Sequence, residues 1–150
     1  MMIYRSEVDM KLLCRLDVPG KIHGKGRPRF SGRTGTVYTP KPTAIYENYI
    51  KTLFLSQFGA IQTDKPLVLK ITAFLGIPKS TTKKERVLIE KGEKQPTKKP
   101  DIDNIIKVVL DALNGVAYID DKQVIRVEAT KAFGETESLH IEIYEFDNSF

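Results

Sequence analysis

Residues 99–107 read Lys-Pro-Asp-Ile-Asp-Asn-Ile-Ile-Lys and mark the point where an irregular segment turns into an amphipathic helix. From Ile102 to Leu113, apolar residues recur at the spacing of one helical face, which includes Ile106 and Val109. The proline ends the segment before it, and Asn114-Gly115 is a stop signal. This pattern predicts a helix that packs its apolar face on a core.

Acidic residues are concentrated around this helix: Asp101, Asp103, Asp111, Asp120 and Asp121. An aspartate just before an apolar-periodic run commonly caps the first helical turn, and Asp101 or Asp103 has that position. Asp103, Lys107 and Asp111 follow one another at i, i+4 spacing, which suits a surface ladder of ion pairs. Helix capping and ion pairing therefore explain these residues without a catalytic or metal-binding role.

Chain geometry opens a second interpretation. About ten residues of helix carry the chain roughly 15 Å from Asp103, and the segment from Asn114 to Asp121 spans up to about 24 Å when extended. Asp121 can therefore return to Asp101 and Asp103. Three carboxylates brought together repel one another, and Mg²⁺ resolves that conflict because it binds oxygen ligands. Neighbours in an extended segment point to opposite sides, so one of Asp120 and Asp121 is expected to be a direct ligand.

Composition is that of one ordinary globular domain over residues 1–150, with 41% hydrophobic and 29% charged residues. Cys14, the single cysteine, forms no internal disulfide and is expected to be a buried thiol in a strand. The sequence has neither an apolar run of membrane-spanning length nor the pattern of a secretory leader. These features predict a cytoplasmic protein.

Charge is unevenly distributed along the chain, although its total is only +5. Residues 1–42 carry +6 (nine basic, three acidic) and residues 83–99 carry +4 (seven basic, three acidic), whereas residues 111–150 carry −6 (three basic, nine acidic). Two basic segments thus bracket the acidic cluster. This division suits a polyanion that is held by its backbone and meets metal ions at one place.

A glycine-rich basic segment, residues 20–30, follows the first predicted strand. Its glycines allow close approach to a ligand, and Lys25, Arg27 and Arg29 supply charge for phosphate. It does not match a Walker loop, because no Gly-Lys-Ser/Thr occurs at the required spacing. We expect a flexible loop that contacts phosphate.

Elsewhere the patterns predict a mixed α/β, or α+β, fold in which helices cover a small mixed sheet. A helix from Pro42-Thr43 to about Phe58 is predicted to turn four side chains inward: Ile45, Tyr49, Leu53 and Phe54. Packing explains Tyr46 and Tyr49 better than stacking on a base. The other predicted elements are strands 10–18, 37–39 and 67–77, a helix 80–90 with a Thr82/Glu85 capping box, and strands 124–133 and 138–146, which form a C-terminal antiparallel hairpin around residues 134–137.

The acidic residues around the predicted helix belong to a specific sequence motif. Residues 99–107, then Leu-Asp-Ala-Leu-Asn-Gly at 110–115 and Asp-Asp-Lys-Gln-Val at 120–124, closely resemble the signature of the RusA family of Holliday-junction resolvases. Gly-Lys-Gly-Arg-Pro-Arg at 24–29 and Tyr-Thr-Pro at 38–40 resemble its early basic motif. The resemblance covers nearly the whole chain in order.

The resemblance implies a homodimeric endonuclease, dependent on Mg²⁺ or Mn²⁺, that nicks a four-way junction symmetrically in DNA recombination and repair. Its essential metal-binding carboxylates would be Asp101, Asp103 and Asp121, with Asp120 beside them, and Lys107 would be its important lysine. Lys107 would stabilise the phosphorane or orient the attacking water. Five basic residues would hold the junction arms by phosphate: Lys25, Arg27, Arg29, Lys98 and Lys99. Such genes are often carried by prophages.

Two other functions stay open. The same scaffold would serve a metal-dependent nuclease for flaps or other branched DNA. Alternatively, a basic DNA-binding protein would use its aspartates only to cap helices and pair with lysines. Cleavage of a junction compared with a fork and a linear duplex separates the first alternative from a resolvase, and metal-independent binding that Asp101→Asn leaves unchanged would indicate the second.

Overall fold

The helix predicted to follow Asp101 is present as α3, Ile102–Leu113, in a computed structural model that describes residues 10–146. Its buried side chains are Ile105, Val108, Val109, Ala112 and Leu113. The predicted face began at Ile102, which is instead 42% exposed. The observed set follows the i, i+3, i+4, i+7, i+8 pattern, and the small Ala112 belongs to it, so the buried stripe is rotated from the predicted one.

Six further elements in residues 10–146 match the predicted order closely, and two short strands, β2 and β3, span two residues each. The elements are β1 Met10–Pro19, β2 Arg29–Phe30, β3 Val37–Tyr38, α1 Lys41–Phe58, β4 Leu67–Gly76, α2 Lys83–Glu90, β5 Val124–Gly134 and β6 Ser138–Phe146, with a 3₁₀ helix at Asp121–Gln123 before β5. The predicted capping box begins α2: the Thr82 side chain accepts from the Glu85 N–H, and the Glu85 side chain accepts from the Thr82 N–H. The mixed α+β fold class is confirmed.

The main sheet has the order β1-β6-β4-β5. β6 is antiparallel to both of its neighbours, β1 and β4, whereas β4 and β5 run parallel. The predicted C-terminal hairpin is therefore wrong. β5 and β6 both form and run in opposite directions, but β4 lies between them and neither strand pairs with the other.

The connection from β5 to β6 passes over the end of β4. A carboxylate on this connection, Glu137, accepts from the Gly76 N–H at the end of β4 (3.4 Å) and from the Ile22 N–H (2.9 Å). Since β4 carries the run of apolar residues expected of a strand that is buried between neighbours, burying it in the sheet interior outweighs the short loop that favoured a hairpin. The alternation of apolar and polar residues identified each strand, but it gave no information on which strands are adjacent in the sheet.

Helices α1 and α3 pack on each other and on the sheet, whose buried face includes Leu16, Ile71 and Ile141. The inward residues of α1 are Thr43, Tyr46, Ile50 and Phe54. The prediction for this helix was wrong at two positions, because Ile45 is 60% exposed and Tyr49 is 37% exposed. It was right at two others, because Leu53 packs against the core and Phe54 is buried in it. The helix begins at Lys41, and its inward face starts one residue away from the predicted one.

Within residues 10–146, no helix combines the length and the apolar character that crossing a bilayer requires. Cys14 is free and buried, as predicted.

Candidate active site at the start of the third helix

Asp101 occupies the N-cap position of α3, with extended backbone angles (φ −69°, ψ 148°). Its side chain makes no capping hydrogen bond, so the capping role that the sequence allows is not the one Asp101 performs. The carboxylate is exposed and lies next to the Lys99-Pro100 peptide bond, which is cis. Asp101 is thus an exposed carboxylate that does not cap the helix.

Asp103 lies two residues further on, in the first turn of the helix, and pairs with Lys107, with 3.8 Å between Lys107 Nζ and Asp103 Oδ2. Both side chains are mainly exposed, 62% for Lys107 and 66% for Asp103. An exposed pair of this kind contributes about 0.3–0.5 kcal/mol. Both groups are therefore available to a ligand at small cost.

The predicted ladder of ion pairs ends at Lys107, because Asp111 pairs with Lys25 instead. Lys25 Nζ lies 3.0 Å from Asp111 Oδ2 and 2.6 Å from Glu47 Oε1, and its side chain is only 18% exposed. Burial alone would lower the pKa of Lys25, but the hydrogen bonds to Glu47 and Asp111 outweigh it and raise that pKa. Lys25, a predicted phosphate contact, ties the basic segment to α1 and α3.

The backbone of the basic segment is fixed against the same two helices. The Lys25 N–H donates to the Asn104 carbonyl oxygen (2.9 Å), and the Gly26 N–H donates to Thr43 Oγ1 (2.9 Å). A Cβ on Gly24 would lie 2.9 Å from Asn104 Cβ and 3.0 Å from Pro100 Cβ. Glycine at position 24 is therefore needed for close approach to α3, whereas the sequence pattern suggested approach to a ligand.

A cleft of about 570 Å³ runs between this segment and the start of α3. Arg27 and Lys99 line it together with Asp101. Arg27 also lines an adjoining cleft of about 260 Å³, which includes Lys107 and Asp111. Cationic side chains thus stand beside the carboxylate of Asp101 on one side and beside Lys107 on the other.

The two remaining predicted phosphate contacts lie outside these clefts. Arg29 is exposed at the start of β2. The Lys98 ammonium donates to the Gly76 carbonyl oxygen (3.1 Å), while the Lys98 carbonyl accepts from Lys131 Nζ (2.5 Å). These hydrogen bonds hold residue 98 against the end of β4.

Asp120 and Asp121 are positioned by the 3₁₀ helix that precedes β5. Asp120 is its N-cap and accepts from the Lys122 N–H at 3.3 Å. Gln123 completes a capping box, because its Oε1 accepts from the Asp120 N–H at 2.9 Å. Its Nε2 donates to the Thr63 and Lys65 carbonyl oxygens at 2.7 and 3.0 Å, so this one amide holds the acidic pair on the body of the protein.

Asp111, Asp120 and Asp121 all act electrostatically on Tyr118, a fully buried residue whose hydroxyl donates to the Leu110 carbonyl oxygen (2.6 Å). Burial raises the pKa of Tyr118, and the three carboxylates raise it further. The hydrogen bond with Asp120, then burial and the charges of Asp120 and Asp111, raise the pKa of Asp121. The Lys122 N–H and the bond with Asp121 lower the pKa of Asp120. The two adjacent carboxyl groups thus interact directly with each other.

No three His, Cys, Asp or Glu side chains among residues 10–146 are spaced as a ready-made metal site. The convergence of Asp101, Asp103 and Asp121 on one ion therefore stays a prediction. The donor set nevertheless fits a hard divalent ion. The hydrogen bond with Asp120, burial, and the charges of Asp120 and Asp111 together raise the pKa of Asp121, and a nearby cation would favour its charged form. Mg²⁺ needs only one or two carboxylates in addition to water and phosphate.

The sequence analysis did not identify the roles of Asp111, Gln123 and Glu47. For Gln123 a signal existed, because an aspartate followed three residues later by glutamine is the spacing of a capping box. Asp111 was assigned to Lys107 by its spacing, and nothing in the sequence indicated Lys25 as its partner. The contact of Glu47 with Lys25 joins residues 22 positions apart and depends on the tertiary fold.

A known protein family matches most of the chain. The sequence profile of the family described as Endodeoxyribonuclease RusA matches residues 19–144, a range that contains the basic segment, α3 and the Asp120–Asp121 pair.

Two relatives are similar over most of their length. The uncharacterized protein YqaN of Bacillus subtilis is 32% identical over 135 residues, which are 87% of this chain and 95% of the relative. The crossover junction endodeoxyribonuclease rusA of Lactococcus phage r1t is 28% identical over 122 residues, which are 81% of each chain.

Proposed function

We propose that this chain, which belongs to the RusA family of endodeoxyribonucleases, resolves four-way DNA junctions by paired, symmetric nicks that require Mg²⁺. Because it belongs to this family, the chain is a crossover junction endodeoxyribonuclease, an enzyme that resolves Holliday junctions. Nucleases of this family depend in general on a divalent metal ion. The identity of the ion and the paired symmetry of the nicks are our proposal.

One observation carries this proposal. Asp101 has the position of a helix cap and makes no capping bond, and it lines a cleft whose other charged residues include Arg27 and Lys99. Because the Asp101 side chain is exposed and makes no capping bond, it can give its oxygens to a divalent ion without the loss of a hydrogen bond that holds the fold. Its place in a cleft lined by cations would set that ion next to bound phosphate.

We assign the metal to Asp101, Asp103, Asp120 and Asp121. Asp101 and Asp103 lie on the exposed first turn of α3, and Gln123 holds Asp120 and Asp121 against the fold. When bound, Mg²⁺ neutralises phosphate charge, lowers the pKa of a coordinated water and stabilises the leaving 3′ oxygen. The protein's part is to hold several carboxylate oxygens on one rigid surface.

The basic residues bind and orient the strand. Lys107, paired only weakly with Asp103, donates to a phosphate oxygen as negative charge develops there, or it orients the attacking water. Arg27 and Lys99 bind phosphates along the cleft. Arg29 and Lys98 extend this surface, whereas Lys25 contributes mainly by fixing the segment that carries Arg27.

We also propose that two copies of the chain act together. A four-way junction presents two strands of like polarity for cutting, and a two-fold dimer presents two equivalent sites. Light scattering on the free protein and on its complex with a junction measures the mass. A single copy in both states contradicts this part of the proposal.

Three substrates of equal length and matched sequence test the function: a synthetic four-way junction, a replication fork and a linear duplex, each with and without Mg²⁺. We expect cleavage of the junction alone, and only with the metal. Equal cleavage of the fork would indicate a general branch-specific nuclease. Tight binding of the junction without cleavage, under Mg²⁺ or Mn²⁺, would indicate a DNA-binding protein and overturn the proposal.

A further inference from the structure

A second pocket, of about 510 Å³, opens beside the cleft at the start of α1. Its walls are mainly apolar and ring-bearing: Pro19, His23, Pro42, Ile45, Tyr46 and Tyr49. Two of these large side chains, Ile45 and Tyr49, are 60% and 37% exposed. Packing within the chain does not account for them, although the helical pattern placed both in the core.

The rings of this pocket are held in fixed positions. The Tyr49 hydroxyl donates to the Pro19 carbonyl oxygen at 3.0 Å. The His23 and Tyr46 rings meet edge to face with centroids 5.4 Å apart, and the Tyr46 and Tyr49 rings lie 6.4 Å apart. A flat aromatic ligand would therefore meet walls that lose little freedom on binding it.

Tyr46 also brings an unsatisfied polar group. The residue is only 4% exposed, and its hydroxyl is the one buried side-chain nitrogen or oxygen in residues 10–146 that has no hydrogen-bond partner. Burial is the main cause that raises the pKa of Tyr46, so this hydroxyl stays protonated and able to donate. Buried polar groups in native proteins are nearly always paired, so an unpaired hydroxyl on a residue that lines the pocket calls for a partner from outside the chain, either water or a ligand.

Charge and position indicate which ligand. Lys21 and Lys41 line the pocket, and Lys21, His23 and Pro42 also line the cleft that contains Asp101. The pocket is thus continuous with the surface to which we assign the phosphates. A DNA strand in that cleft carries a planar, partly polar ring beside each phosphate, and every base has a face that stacks on aromatic side chains.

We propose that this pocket receives one unpaired nucleobase of the bound DNA, stacked against Tyr49 and Ile45, with Lys21 and Lys41 on its flanking phosphates. The inference rests on the proposed function, because it takes a junction as the bound DNA. It adds a contact that recognises an unstacked base next to the branch point. Phosphate contacts alone do not distinguish an unpaired base from an abasic position in the same strand.

Paired junctions test the inference. Both have one extra unpaired nucleotide at the branch point, which is thymidine in one and an abasic tetrahydrofuran residue in the other. Affinity is measured by fluorescence anisotropy without divalent metal, so that cleavage plays no part. We expect the protein to bind the thymidine junction at least about fivefold more tightly, as stacking of one base on an aromatic side chain implies.

Four variants complete the design. Ile45→Ala and Tyr49→Ala should each reduce the preference below about twofold while they leave the affinity for the abasic junction unchanged. Tyr49→Phe keeps the ring and should keep the preference. Ile125→Ala alters a residue of similar exposure (58%) on β5 and should also keep it.

The possible failures are distinguishable. Equal affinity of the wild type for the two junctions, with metal-dependent nicking intact, overturns the base pocket and leaves the proposed function in place. A preference that Ile45→Ala and Tyr49→Ala both retain overturns the assignment to this pocket. Failure to bind either junction contradicts the proposed function and this inference together.

Discussion

At the scale of the residue, Lys107 is the side chain whose chemistry is most accessible to test. It lies one helical turn from Asp103, and their exposed pair contributes little to stability. Lys107→Ala should lower the rate of junction nicking by about 100-fold or more, because one lost donor to a developing negative charge costs that much. Unfolding free energy should change by less than about 0.5 kcal/mol.

Lys84→Ala is the matched control for Lys107. Lys84 is an exposed lysine on α2, which has no buried residues, so this variant should nick at the wild-type rate. Gel assays under single-turnover conditions measure both variants. A Lys107→Ala enzyme that nicks normally would remove this lysine from the chemistry.

The pH dependence of the unfolding free energy tests whether the Cys14 thiol is buried in the core. Burial raises the pKa of its thiol to about 11, above the value near 9.0 of a free thiol. A raised acid pKa favours the folded state below pH 9, and this contribution is lost as the pH rises towards 11. By pH 10 the wild type should lose about 1 kcal/mol more unfolding free energy than Cys14→Ala does, relative to pH 8.

Urea titrations of both proteins at the two pH values give this difference, in which the tyrosines common to both cancel. Over the same range, the native thiol should react with a disulfide reagent only as fast as the protein unfolds. Rapid labelling of the folded protein, or identical pH dependence in both proteins, would show that the thiol is not buried.

At the scale of the element, the basic segment works because Gly24 brings it close to α3. Gly24→Ala would place a Cβ 2.9 Å from Asn104 Cβ and 3.0 Å from Pro100 Cβ, so the segment must move. Overpacking of this kind typically costs about 1–3 kcal/mol of unfolding free energy. Because Arg27 moves with the segment, affinity for the junction should fall as well.

Gly32→Ala is the control, since a Cβ there meets nothing within 4 Å. Chemical denaturation and junction binding, measured for both variants, should distinguish them. Equal stability and equal affinity in the two proteins would mean that the segment is not anchored at residue 24.

The elements themselves were largely predictable from local patterns. The capping box of α2 and the alternation of Leu139, Ile141 and Ile143 are encoded within a few residues, and both are confirmed. Strand adjacency was not predictable in this way. The three-residue connection before Ser138 favoured a hairpin, but burial of β4 between β5 and β6 is a property of the whole sheet.

Some residues of the candidate site were likewise predictable from local sequence, and others were not. Asp101, Asp103 and Lys107 were found from sequence because they lie within one short segment whose helical geometry is known. The ion pairs of Lys25 were not found, since Glu47 and Asp111 are 22 and 86 positions away and approach only when α1 packs on α3. The place of Lys25 in the interior of the site thus depends on the tertiary fold.

At the scale of the whole molecule, binding of DNA should be governed by charge. Each phosphate that a cation neutralises lowers the slope of log affinity against log salt by about 0.9 on duplex DNA. Arg27 lines both clefts. Arg27→Ala should therefore make that slope less steep by about one unit and weaken binding of every junction sequence alike. Lys84→Ala should leave the slope as it is, and an unchanged slope for Arg27→Ala would place its charge away from the DNA.

In the proposed mechanism, carboxylates around the start of α3 hold the metal that cuts a junction. Strand-by-strand mapping of nicks in a four-way junction tests this most directly, with the wild type, Asp103→Asn and Asp17→Asn, each with and without Mg²⁺. Asp17 pairs with His140 on the sheet, so Asp17→Asn controls for the loss of a charge. We predict symmetric nicks in two strands from the wild type and Asp17→Asn with Mg²⁺, and bound but intact junctions with Asp103→Asn. Nicking by Asp103→Asn at the wild-type rate, or without metal, would contradict the claim.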